Sequence, residues 1–168
     1  AGTKETELDF AWTPPELWTG CLAEKWEHPK LGNYILHLRK GVKWQNIAPV
    51  SGRELTAEDF VFSMKYLNTN PKSVFYNSGV TATALDKYRV ELQWPKPDVM
   101  ELRLIRRFVI VPHEVVDKYG EKGFEDWHNQ CGTGPFMMKD YVIGSSISWV
   151  KNPDYWMNDP FYPKNRLP

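Results

Sequence analysis

The chain has 168 residues, 42% hydrophobic and 25% charged, with 21 basic and 21 acidic side chains that cancel. That composition suits one soluble globular domain with an ordinary core and excludes a disordered chain. A balanced charge is also unlike a nucleic-acid binder, which carries a basic excess on one face. No apolar run reaches the roughly 20 residues that cross a bilayer.

The first thirty residues hold Gly20, Pro14, Pro15 and Pro29 and read as loop with short extended pieces. The opening Ala1-Gly2-Thr3-Lys4-Glu5 is no targeting signal, which points to a cytosolic protein or to a mature or trimmed chain. The first clear strand is 34–39, with Tyr34, Leu36 and Leu38 on one face and Ile35, His37 and Arg39 on the other. Residues 42–44 continue the extended path, and 45–55 form a loop. Thr56 then marks a helix start: it is an N-cap, Asp59 stands three positions on as in a capping box, and Ala57, Phe60, Val61, Met64 and Leu67 follow at one-face spacing.

After a polar loop with Phe75 and Tyr76 comes a hairpin, with strands 80–85 and 88–94 about an Asp86-Lys87 turn. Tyr88, Val90, Leu92 and Trp94 alternate with charged and polar residues, the pattern of a sheet with one wet face. Helices are expected over 99–108, where Arg103, Arg106 and Arg107 form a solvated face, and over 114–119, ended by Gly120. A further helical segment falls in 123–130. Gly132-Thr133-Gly134-Pro135 breaks the chain, strands 136–141 and 147–151 join through Gly144, and the tail from Asn152 has no period. Interleaved strands and helices indicate a mixed α/β (α+β) domain with a mixed sheet, flanking helices and antiparallel hairpins.

The catalytic arrangements tested are incomplete. His113-Glu114-Val115-Val116-Asp117 has aspartate where a zinc-protease helix needs its second histidine. Gly132-Thr133-Gly134 runs into Pro135 and a strand, whereas a phosphate cradle needs a helix N-terminus there. Gly144-Ser145-Ser146 lacks a G-x-S-x-G elbow, and Cys21 and Cys131 have no C-x-x-C partner or His at metal spacing. No catalytic residue, metal site or cofactor is expected, and a binding role is favoured over a hydrolase with a site hidden from local motifs. Tryptophans, eight in all, leave a second class open: an independent carbohydrate- or peptide-binding module that stacks ligand on exposed rings.

Three stretches in order carry a resemblance. They are Leu22-Ala23-Glu24-Lys25-Trp26-Glu27 leading to residues 37–44, Leu55-Thr56-Ala57-Glu58-Asp59-Phe60-Val61-Phe62-Ser63, and Gly132-Thr133-Gly134-Pro135-Phe136 with residues 144–147 and Asn152-Pro153-Asp154-Tyr155-Trp156. Together they resemble the family 5 extracellular solute-binding proteins, the oligopeptide, dipeptide and nickel binding components of ABC importers. The resemblance implies a type II periplasmic-binding-protein fold in two lobes that close on a solute, with peptide the expected ligand and ABC permease subunits the expected partners. It also implies that residues 1–168 are a single partial domain from the first lobe. A smaller embedded subdomain would span about 22–131, and 132–168 would return toward the larger subdomain. The whole protein would be extracytoplasmic, in the periplasm or at the cell surface as a lipoprotein.

The resemblance assigns ligand contact to few residues here: Phe75 and Tyr76 in the loop after the capped helix, and Gly132, Thr133 and Gly134 near the cleft or crossover. Tyr155 and Trp156 would pack the tail onto the sheet. The connection 45–55 is longer than the short Asp-Gly turn common in relatives. Outside the cytoplasm Cys21 and Cys131 are either bridged across a long loop or stand as two separate buried thiols.

Overall fold

The computed structural model describes residues 19–97, 100–159, 162 and 164. Its centre is a four-stranded antiparallel sheet in the order β1-β2-β4-β3, built from β1 (Ala23–Lys30), β2 (Asn33–Leu38), β3 (Thr81–Asp86) and β4 (Arg89–Gln93). Every described strand pair is antiparallel, because each neighbour is reached by a hairpin or by the return through the helix α1 (Ala57–Thr69). The mixing is thus of helices with strands, while the sheet itself is antiparallel throughout rather than mixed.

Register explains the core. Tyr34 pairs with Leu92 and Leu36 with Val90, while Ala82 and Ala84 of β3 oppose the same two residues of β4. One face therefore gathers Tyr34, Leu36, Leu38, Val90 and Leu92, all buried as the alternation predicts. α1 lies against β3 and β4, and the small side chains of Ala82 and Ala84 leave room for it. Ala57, Phe60, Met64 and Leu67 of α1 complete the core. The helix begins where expected: the Asp59 carboxylate accepts a 2.8 Å bond from the Thr56 N–H.

β1 is the element that the sequence reading missed. Trp26, half-buried opposite Leu36, is its anchor, while Glu24, Lys25, Glu27 and Lys30 face water on an edge strand. Its register shifts between Ala23 and Lys25 and again between Glu27 and Lys30, and β3 shifts between Ala84 and Asp86. Gly32 closes the β1–β2 hairpin at φ +79° and lies against Pro97 Cγ, so a side chain there would be strained. In the second hairpin Asp86 stays in the strand opposite Arg89, which moves the turn one residue on from the expected Asp86-Lys87.

Residues 42–44 are extended, as expected, and are held by residues 53–55: Trp44 N–H donates to Arg53 O and Leu55 N–H to Val42 O. Glu54, between them, accepts from Lys87 Nζ, Gly41 N–H and the Tyr88 hydroxyl. These bonds hold its carboxyl at about 2, below its ordinary 4.5. A carboxylate lowered in the folded state contributes stability above its ordinary pKa and loses it on acidification. Glu54→Gln is therefore expected to destabilise the chain at pH 7 and to cost progressively less as the pH falls toward 2, where the folded carboxyl is half protonated, as urea midpoints measured across that range will show.

The remaining segments are short. α2 (Glu101–Ile105) is shorter than the expected helix because Arg107 and Phe108 donate back three residues, to Leu104 O and Ile105 O, and close it as turns; residue 99 is outside the described residues. Arg106 and Arg107 are exposed at its end, as expected. α3 (His113–Tyr119) ends at Gly120, and two 3-10 turns, Glu121–Glu125 and Trp127–Asn129, stand for the expected helical segment. β5 (Phe136–Val142) and β6 (Ser146–Lys151) form a separate two-stranded sheet turning at Gly144. Trp156 packs on the main core under the Arg39 guanidinium, 5.1 Å from its ring centroid. Among the described residues no helix is long and apolar enough to cross a membrane.

Candidate functional site

The loop after α1 separates the two aromatic side chains assigned to ligand. Phe75 is 1% exposed and meets the Phe108 ring at 5.6 Å, which removes it from ligand reach. Tyr76 is 46% exposed and is the aromatic side chain that the loop offers to solvent, beside the exposed Val74. Asn68, which the sequence did not single out, holds the loop closed. Its Nδ2 donates to Val80 O and Met64 O, and its Oδ1 accepts from Ser78 Oγ and Gly79 N–H. Tyr76 therefore projects from a loop fixed at its base by Asn68 and through its neighbour by the core.

The glycine turn serves a different network. Gln45 is 4% exposed and is the hub of it. Its Nε2 donates to Phe136 O at 2.7 Å and Gly134 O at 3.3 Å, and its Oε1 accepts from Gly132 N–H at 3.1 Å. Its backbone N–H donates to Gly132 O. Asn152 grips the other side: Nδ2 donates to Gly134 O at 3.0 Å, and its N–H donates to Pro135 O. The carbonyls of Gly132 and Gly134 are thus engaged inside the protein, and the turn is a joint between the main sheet and the β5–β6 hairpin. Thr133 is half-buried in that joint. Among the described residues no hydrogen bond or ring contact links this turn to Tyr76.

Cys21 and Cys131 are free thiols, which corrects the bridged alternative. Cys131 is half-buried, its Sγ donates to Gln45 O at 3.5 Å, and burial pushes its thiol up to about 11. Cys21 is exposed at the entrance to β1, so the alternative of two buried thiols holds for neither end fully. A thiol raised this far is a poor nucleophile.

Beneath the joint lies an ion cluster. The Arg53 fork donates through Nη1 and Nη2 to the Asp59 carboxylate, at 2.9 and 2.6 Å, and through Nε and Nη2 to Glu114. Burial pulls the guanidinium pKa down, but the bonds to Glu114 and Asp59 outweigh it and leave it above its ordinary value. Burial raises the Glu114 carboxyl, and the bonds from Arg53 carry it below the usual carboxylate range. Every charge in the cluster is answered by another, so it ties the start of α1 to α3 and leaves no activated acid or base.

An apolar groove of about 490 Å³ lies between the start of β1 and α2, with Cys21, Trp26, Leu36, Phe60, Phe108 and Ile110 on its walls. Apart from Thr19, Cys21 and Arg106 its lining offers no polar side chain to orient a ligand. Nor do the tryptophans make a stacking row. Of those described, Trp149 is exposed, Trp44 is buried and the others are half-buried. His113 pairs with Asp117, its successor at the expected ligand position, and the described residues hold no cluster of metal-binding side chains.

The arrangement is a scaffold that presents one aromatic loop and one rigid joint. The model of the bacterial extracellular solute-binding proteins, family 5 Middle, matches residues 18–165. The chain belongs to that family. Among family 5 relatives, the periplasmic oligopeptide-binding protein OppA of Salmonella typhimurium is 30% identical over 160 residues, covering 82% of this chain and 28% of its own. The Helicobacter pylori periplasmic binding protein DppA, solved in complex with the peptide STSA, superposes with a TM-score of 0.66 at 26% identity, over 83% of this chain and 31% of that one. The binding protein MoaA of A. tumefaciens R10, solved with mannopinic acid, gives 0.65 at 28% identity over 81% and 28%. The fold is accordingly a partial lobe of a type II periplasmic binding protein. The chain spans under a third of the length of these relatives.

Proposed function

We propose that these residues are part of the first lobe of an extracytoplasmic receptor that captures oligopeptide-like solutes and delivers them to the membrane permease subunits of an ABC importer. It catalyses no reaction. The observation that carries this reading is the family match across residues 18–165, and the oligopeptide-binding and peptide-complexed relatives support peptide as the solute. In this reading residues 22–131 are the smaller embedded subdomain and 132–168 lead back to the larger one. The Gln45 and Asn152 bonds at 132–136 suit such a boundary. Lipid anchoring of the whole protein belongs to the same proposal.

Tyr76 is the side chain best placed to meet solute, with Thr133 and the flanking glycines shaping the wall of the cleft near the crossover. Peptide affinity in such a receptor comes from enclosure between lobes. Calorimetry is expected to show no heat of peptide binding to the 168 residues alone. Mass spectrometry of a longer polypeptide from the same gene is expected to find co-purifying peptide. Micromolar affinity in the 168 residues by themselves would overturn the reading, since the site would then be self-contained.

A further inference from the structure

The apolar groove takes part of its wall from the chain that leads into β1. Thr19, Gly20 and Cys21 line it together with Leu102, Ile105 and Phe108. Gly20 is pressed onto backbone there, since a Cβ at this position would stand 2.3 Å from Ala23 O and 2.7 Å from Glu24 O. Glycine alone tolerates so close an approach, and the turn holds residue 19 at the groove. The sequence that precedes Thr19 therefore starts from the groove's own wall.

That sequence is chemically matched to the groove. Phe10, Ala11, Trp12, Leu17 and Trp18 are apolar, and Pro14 and Pro15 carry no N–H. A lining with so few polar side chains suits a segment poor in backbone donors, because an unpaired N–H buried against it would be costly. Farther upstream Glu5, Glu7 and Asp9 are acidic, whereas Arg106 lines the groove and Arg107 beside it is exposed.

We propose that the groove is the docking site of the chain's own residues 10–18, with Leu17 and Trp18 as apolar anchors and the acidic run 5–9 against the Arg106–Arg107 rim. Residues 10–18 can span at most roughly 30 Å. That is ample to carry the acidic run past α2, which is only about 8 Å long. Docking ties the edge strand β1 to α2 and takes the groove's apolar surface out of water. The inference stands apart from the receptor reading, since segment and groove both belong to this chain.

NMR on the 168-residue chain tests it directly. NOEs are expected from the Trp18 indole to the methyl groups of Ile105 and Ile110. The double variant Leu17→Ser/Trp18→Ser is expected to lower Tm by about 5 °C. It is also expected to raise the fluorescence of the dye ANS by about threefold, as apolar surface is uncovered. Arg107→Glu is expected to weaken the Trp18 NOEs, and unchanged NOEs in that variant would remove the acidic run from the rim. Absent NOEs in the parent chain overturn the proposal, as do an unchanged Tm and dye signal in the double variant. NOEs that fade on dilution overturn it too, because a second copy would then supply the segment.

Discussion

Replacing Arg53 with methionine is expected to lower stability by about 2 kcal/mol, since removing one member of a partly buried charge cluster leaves the others uncompensated. The Asp59 side chain is 1% exposed and Glu114 21%, and both lose the same fork. Asp59 keeps the Thr56 N–H, which holds the loss toward the lower end of such effects. Arg53→Lys is expected to recover part of it, because an ammonium restores the charge but cannot hold two carboxylates in the fork geometry. Urea unfolding at pH 7 measures both. A loss below about 1 kcal/mol for the methionine variant would show that the cluster is worth no more than a surface pair.

Gln45→Ala should act differently, by freeing one part of the molecule from another. The substitution strands Gly132 N–H and the Gly134 and Phe136 carbonyls, partly buried polar groups whose loss costs up to about 1 kcal/mol each. Gly134 O retains Asn152, so the loss concentrates on Gly132 and Phe136. Amide exchange in β5 and β6 is expected to accelerate strongly while α1, β2 and β4 keep their protection, since the core of the main sheet does not involve Gln45. Uniform acceleration across the chain would mean that the joint and the core unfold as one unit.

Much of the main sheet was legible because its signals are local. Thr56 and Asp59 lie three residues apart and fixed the start of α1, and the alternation in Tyr88 to Trp94 showed which side of β4 is buried. β1 was hidden because an edge strand needs few apolar residues, and eight positions with Trp26 as their main anchor give no period. The joint was hidden for another reason. Gln45 meets Gly132, Gly134 and Phe136 across 87, 89 and 91 residues, and an isolated glutamine in a loop carries no sign of such partners. The family resemblance directed attention to the turn 132–134 but not to the bonds that Gln45 and Asn152 make there. In the Phe75-Tyr76 pair it could not say which ring turns inward, since that is decided by packing against Phe108.

The irregular registers of β1 and β3 bear on how the sheet meets other chains. These are the two outer strands of the main sheet, and each steps out of alignment along its length. An incoming extended backbone finds no continuous ladder of donors and acceptors to zip onto. Strand addition and ribbon-like aggregation of neighbouring copies are therefore disfavoured along these edges.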